Sequence, residues 1–201
     1  MVGRMPAVRA RNSFRCSKQM WKMIERTEKA IQDEVSRQLD LVNCSCMLAL
    51  YRYWGWRTER LSNLLELQEE IYAECGSNND MSMIRLLDEE CDIELTNHEG
   101  VSYRNVIFLN SDIDEGKPLT AAQWLAMRQN QKKWVEAQIT ACICLSLHRK
   151  EGWGFKRLRE LMVHMQDIKE EFDYNPKLIV KAVKDEANYD WVADLEVKTN
   201  E

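Results

Sequence analysis

Residues 42–74 and 139–171 align without a gap and share ten identities. Leu48, Leu50, Arg52, Gly55, Trp56, Arg60, Leu61, Leu64, Ile71 and Glu74 recur as Leu145, Leu147, Arg149, Gly152, Trp153, Arg157, Leu158, Leu161, Ile168 and Glu171. The identities gather on one Arg-x-x-Gly-Trp-x-x-x-Arg-Leu core, which shared helical composition does not produce. A repeat of this kind constrains the fold more than any other feature, because matched positions must do matched physical work. The reading is a tandem duplication.

The type of unit follows from its punctuation. Three Pro and seven Gly among 201 residues are few, and they fall at joints between stretches rich in Glu, Lys, Arg, Leu, Gln and Met, which favour helix. From Trp21 to Tyr53 the apolar positions Ile24, Ile31, Val35, Leu39, Val42, Cys46 and Leu50 recur at helical spacing. Gly55 ends that helix, since a left-handed residue costs glycine little. A second helix is predicted over Thr58–Glu74 and a third over Met81–Cys91, separated by a polar Gly76–Asp80 turn.

Residues 92–118 break the pattern with Ile93, Leu95, Val101, Tyr103, Val106 and Phe108 set among Thr, Asn and Gly, and predict a short hairpin or extended linker. Thr120-Ala-Ala-Gln123 is a capping box that opens a second long helix running to Lys150. A turn at Gly152, a helix over Phe155–Phe172, an Asp173-Tyr-Asn-Pro176 turn and a helix over Lys177–Ala187 complete the second unit. The fold expected is therefore all-α, with a basic arm at 1–22, a first repeat at 23–91, a linker at 92–118 and a second repeat at 119–201. The two units are expected to pack through their long helices, with the tryptophans inside.

The repeated tryptophan is read as a wedge at the helix corner, and the glycine before it as the turn. Arg60 and Arg157 stand in the first turns of the following helices, where positive charge meets the positive end of the helix dipole, so a compensating contact is expected. The carbonyls ending the preceding helix, or Glu74 and Glu171, would supply it. The alternative is that Arg52, Arg60, Arg149 and Arg157 hold an anionic ligand or phosphate at two related sites.

The net charge of −5 divides unevenly: Arg4, Arg9, Arg11, Arg15, Lys18 and Lys22 face no acid within residues 1–22, which leaves −11 on the rest. A basic arm on an acidic body suits contact with nucleic acid or an acidic partner through the arm, or is simply a solvated terminus. The helices after Gly55 and Gly152 carry too many carboxylates to read DNA in the manner of a helix-turn-helix.

Other chemistry is sparse. Seven cysteines, an odd number without a signal peptide ahead, point to a reducing cytoplasm rather than a disulfide framework. Cys44-x-Cys46 and Cys142-x-Cys144 put their thiols on opposite sides of a helix, which suits packing and not a metal. His98, His148 and His164 lack metal-ligand spacing, and Glu89-Glu90 and Asp185-Glu186 lack a histidine partner. No phosphate loop, dinucleotide turn or nucleophile elbow occurs. An enzyme, a cofactor, a metal and a membrane span are all unexpected, the longest apolar stretch, Ile139–Leu147, being too short to cross a bilayer.

The segment Leu147-His-Arg-Lys-Glu-Gly-Trp-Gly-Phe-Lys-Arg-Leu158 resembles a module of small helical accessory proteins from phages that infect Firmicutes. In that module a helix ending in Leu-His leads through an acidic residue, Gly-Phe-Gly and Arg-Leu into a further helix. The second unit fits through Leu147, His148, Gly152, Trp153, Gly154, Arg157 and Leu158, whereas the first has Tyr51 for the histidine and Arg57 for the second glycine. The resemblance covers about 60 residues of each unit. It implies a phage or prophage origin and action in the cytoplasm of a bacterial host, and duplicated accessory proteins of this kind look like those that phages use against host defences, including anti-CRISPR inhibitors of Cas9-type nucleases. The implied partner is a host protein, an RNA-guided nuclease complex in particular, whose basic channel an acidic body would fill. A nucleic-acid-binding regulator and a sponge for an anionic signalling molecule are the competing readings. Trp54 and Arg57 stand where the copies differ, in the Tyr53–Thr58 segment, and join the basic residues above as candidate contacts.

Overall fold

The computed structural model describes residues 18–75, 82–96, 102–103 and 121–193, with side chains described from Trp21 in the first helix and from Val135 in the second long one. Among the described residues six helices follow one another: α1 (Lys18–Trp54), α2 (Thr58–Cys75), α3 (Ser82–Cys91), α4 (Ala121–Glu151), α5 (Phe155–Glu171) and α6 (Pro176–Ala187). The predicted boundaries agree to within a few residues. α1 starts inside the basic arm, so the arm's last five residues are helical. The capping residue Thr120 lies outside the described residues. Between α3 and α4 the described residues hold one isolated antiparallel bridge, Thr96 to Ser102, and the Tyr103 amide donates to the Leu95 carbonyl at 3.0 Å. Of the expected hairpin or extended linker over 92–118, residues 97–101 and 104–118 lie outside the described residues.

The long helices cross and pack on each other, but the short helices do not stay with the long helix that precedes them. α1 packs against α5 and α6, while α4 packs against α2 and α3. Elements matched by the sequence repeat thus trade partners, and one core joins both halves. A glycine corner ejects each short helix from its own long helix, and the apolar stripe that remains is buried on the other one. Leu61, Leu64, Leu65 and Ile71 form that stripe in α2, and Leu158, Leu161, Met165 and Ile168 form it in α5.

This exchange explains a burial pattern that an amphipathic reading does not anticipate. In the first half of α1 only Ile24, Ile31 and Gln38 are buried, seven apart, but from Leu41 to Leu50 every residue is buried. From Ala137 to Leu147 the same holds in α4. A helix enclosed on all sides carries apolar or small residues all round, and both segments are built mostly of these, with Asn43, Ser45, Gln138, Thr140 and Ser146 as the polar exceptions. Small residues there let helices approach closely: Cys44, Cys46, Ala49, Ala141, Cys142 and Cys144 are all essentially inaccessible. The thiols on opposite sides of each helix are thus all interior, unbridged, and burial pushes the Cys142 and Cys144 thiols up to about 12.

Several buried polar groups are partnered within the protein, whereas Gln38 Oε1 and Gln138 Nε2 meet no hydrogen-bond partner among the described residues. Ser45 and Ser146 donate to the carbonyls of Leu41 and Cys142 one turn back, at 2.5 and 2.7 Å. Gln68 donates to Asn43 at 2.9 Å, tying α2 to α1 inside the core.

The matched region also extends past the sequence identities. Asp92 and Asn188, 96 apart, both adopt left-handed backbone just after α3 and α6, with φ of 54° and 51°. The chain then buries Ile93 and Leu95 in one half and Tyr189 and Trp191 in the other. The Trp191 indole donates to Asp40 at 2.8 Å. Residues 92–95 therefore belong to the first helical body, not to the linker that the polar composition suggests. The signal was an apolar-acid-apolar triplet hidden by substitution, Ile-Glu-Leu against Tyr-Asp-Trp.

Candidate functional site

The two Gly-Trp corners are built alike. Gly55 and Gly152 sit at φ of 67° and 68°. Their amides donate to Tyr51 and His148, and the next amides, of Trp56 and Trp153, reach back to Leu50 and Leu147, all at 3.1 Å. Such reversed bonds satisfy carbonyls that a helix end leaves open. The corner then drives each tryptophan inward, so that Trp56 and Trp153 are 2 % and 1 % exposed. Their rings meet edge to face, centroids 6.0 Å apart. This is a favourable aromatic geometry, beyond the area that each ring buries.

Arg60 lies over Trp56 and Arg157 over Trp153, each at 4.1 Å from the ring centroid. The contact that both arginines share is thus an aromatic face, to which Arg60 adds an ion pair with Glu151. Neither pairs with Glu74 or Glu171, as the alternative expectation had it, because partner exchange delivers those carboxylates elsewhere. Glu171 and Glu186 both bond Arg52, at 2.6 and 2.7 Å. In the other half Glu74 and Glu90 bond Arg149, Glu74 at 2.9 Å. Each guanidinium is held charged by its two carboxylates. In return, the hydrogen bond from Arg149 keeps Glu90 below the usual carboxylate range, and that from Arg52 does so for Glu186. Arg52 and Arg149 therefore spend their donors inside the molecule.

Around these matched features the halves differ. On one side, Lys150 bonds Glu70 at 2.6 Å and Glu151 pairs with Arg60. The positions matching Lys150 and Glu151 in the first half are Tyr53 and Trp54. Tyr53 stacks flat on His164, with centroids 3.6 Å apart and planes 8° apart, and Trp54 packs against Trp153 at 5.1 Å. An ion-paired corner is thus replaced by an aromatic one. Arg157 keeps its place over Trp153 but has no carboxylate partner among the described residues. His164 is a residue that sequence reasoning dismissed, and nothing in its spacing marks it, because Tyr53 reaches it only through the packing of α1 on α5.

Of the other predicted contacts, Arg57 is exposed and lies over Tyr51 at 5.4 Å. Lys22 is exposed on α1, Lys18 starts that helix, and Arg4, Arg9, Arg11 and Arg15 lie outside the described residues. His148 meets the Trp153 carbonyl through Nδ1 at 2.8 Å and so stabilises the corner. Among the described residues no group of three His, Cys, Asp or Glu could hold a metal ion, and no helix is long and apolar enough to cross a membrane. One open groove, about 430 Å³, lies between α6 and the residues after it, lined by Lys177, Lys181, Lys184, Asp190 and Trp191.

The short helices differ most in charge. α2 and α3 together carry −6 and α5 and α6 together +1, although the two pairs match by repeat. Glu59, Glu66, Glu69, Glu70, Glu89 and Glu90 account for most of the acidity and are all exposed. No protein-family model, no curated protein and no solved structure matches the chain.

Proposed function

We propose that this chain is a tandem duplication of a three-helix unit, encoded by a phage, and that it is a non-enzymatic protein which binds and inhibits a host defence complex of the RNA-guided, Cas9-type nuclease class in the bacterial cytoplasm. The duplicated unit is supported by the ten identities, the two matched glycine corners and the exchanged Arg–Glu clusters. Binding is supported by one observation above the rest, the formal charge of −6 on α2 and α3 against +1 on α5 and α6, even though Glu70, Glu74 and Glu90 of the acidic pair are engaged by Lys150 and Arg149. Selection for folding alone gives no reason for the two faces to diverge in charge. Exposed carboxylates such as Glu59, Glu66, Glu69 and Glu89 are what a channel lined with Lys and Arg attracts, and such channels hold the guide–target duplex in these nucleases. The resemblance of the Leu147–Leu158 segment to phage accessory proteins supplies the class of partner.

The experiment is a cleavage assay with purified RNA-guided nucleases from Firmicutes hosts, alongside co-elution on a sizing column. The expected result is loss of DNA cleavage at a molar excess of the protein, relieved when Glu66, Glu69 and Glu70 are replaced by glutamine. Absence of both co-elution and inhibition would remove this reading.

A further inference from the structure

We infer that the aromatic corner of the second half is a binding surface for single-stranded nucleic acid, distinct from the acidic face and independent of the inhibitory reading. The starting point is what replaces the lost ion pairs. Where Lys150, Glu151 and Arg60 close one corner with charge pairs, the matched residues Tyr53, Trp54 and Arg157 leave the other open. Tyr53 is 50 % exposed although one ring face is covered by His164. Trp54 links Tyr53, His164 and Trp153, at centroid distances of 6.2, 5.7 and 5.1 Å, so the aromatic groups form one continuous patch.

Cations border that patch. Arg157 covers Trp153, Arg159 lies 5.8 Å over the half-exposed ring of Phe155, and Lys156 is exposed between them. None of the three pairs with a carboxylate among the described residues. The carboxylates nearest His164 are Glu160 and Asp167, at 4.0 and 3.7 Å from its ring nitrogens; they lie on the same side of α5 farther along the helix, and leave the cations of its first turns, Lys156, Arg157 and Arg159, as the phosphate contacts.

A half-exposed ring held by stacking, on an aromatic patch that the cations in the first turns of α5 border, is an arrangement on which an unpaired base stacks while its phosphates are neutralised. Duplex DNA offers phosphates but no accessible base face, so the exposed Tyr53 ring favours single strands. An acidic protein segment would use the cations and gain nothing from the stack.

The test is fluorescence anisotropy of a short labelled oligothymidylate, with a duplex of the same length as control, against the full-length protein at low salt. Single-strand binding is expected, several-fold tighter than duplex binding. Tyr53→Ala should weaken it about tenfold and Tyr53→Phe should leave it nearly unchanged, since stacking needs only the ring. Arg157→Gln should weaken it and flatten its salt dependence. Far-UV circular dichroism of each variant separates lost binding from lost folding. The proposal is overturned by no single-strand binding, by equal binding of duplex, or by binding that survives Tyr53→Ala and Arg157→Gln. It is equally overturned if binding is lost only when Arg4, Arg9, Arg11 and Arg15 are replaced by glutamine, which would place it in the arm.

Discussion

Arg52 and Glu186 are joined by two hydrogen bonds, at 2.9 and 2.7 Å, across 134 positions of sequence. Arg149 does the same with Glu90 across 59 positions. Each arginine ends the long helix of one half and holds the last short helix of the other, so the halves are latched reciprocally. The latches are partly exposed, with Arg52 and Arg149 side chains about a quarter accessible, and solvent screening limits their strength. Replacing Arg52 or Arg149 by alanine should therefore lower stability by only about 1 kcal/mol each, as read from urea unfolding midpoints. A loss of several kcal/mol would mean that the latch, and not the core beneath it, holds the halves together.

Acidification should act on the same residues. Glu90 and Glu186 have folded-state pKa values lowered by Arg149 and Arg52. A lowered carboxylate stabilises the fold at pH values above its unfolded pKa, about 4.3, and that contribution fades as pH falls through the folded value. The melting temperature should decline below about pH 4.5. In the double variant Arg52→Gln/Arg149→Gln the decline should be shallower, because the two carboxylates then titrate nearly alike in both states.

The three described glycines make a direct test of backbone conformation, since a methyl group would meet nothing within 4 Å at any of them. Gly55 and Gly152 are left-handed, whereas Gly154 caps α5 in extended backbone with φ of −86°. Gly55→Ala and Gly152→Ala should each cost about 1–2 kcal/mol from conformational strain alone. Gly154→Ala should be neutral to within roughly 0.5 kcal/mol, or slightly stabilising through the unfolded state. Thermal melts of the three variants give the ranking.

The core thiols should be inert in the native state. Cys44, Cys46, Cys142 and Cys144 are buried, and burial raises all four pKa values well out of the physiological range. At pH 8 they should alkylate only as fast as the protein unfolds, which timed mass spectrometry can follow. Labelling of Cys144 faster than global unfolding would show that the all-round enclosure of α4 opens locally.

Much of this fold can be read from the chain, and the part that cannot has a common cause. Helix boundaries are legible because Gly55, Gly152, Pro176 and the capping residue Asn175, which accepts from Lys177 at 3.1 Å, are local signals. The exchange of short helices is not local. The repeat says that Arg52 and Arg149 do the same work, but a helix corner returning onto its own long helix and one crossing to the other have the same sequence pattern. The small and apolar residues that surround most of the helix circumference over 41–50 and 137–147 are the available clue, since a helix packed by one neighbour needs only one apolar face. The candidate site divides in the same way. Tyr53 and Trp54 stand out as departures from the repeat, whereas His164 enters only because α5 lies against α1.

Reciprocal packing makes the two halves one cooperative body, and equilibrium urea unfolding tests this most directly. Helix content should be followed by circular dichroism and the Trp56–Trp153 contact by tryptophan fluorescence. Coincident single transitions with one midpoint and one slope are predicted, since neither half can bury its short helices without the other. Two resolved transitions, or a fluorescence change separated from the loss of helix, would show that the halves fold independently and would contradict the exchange.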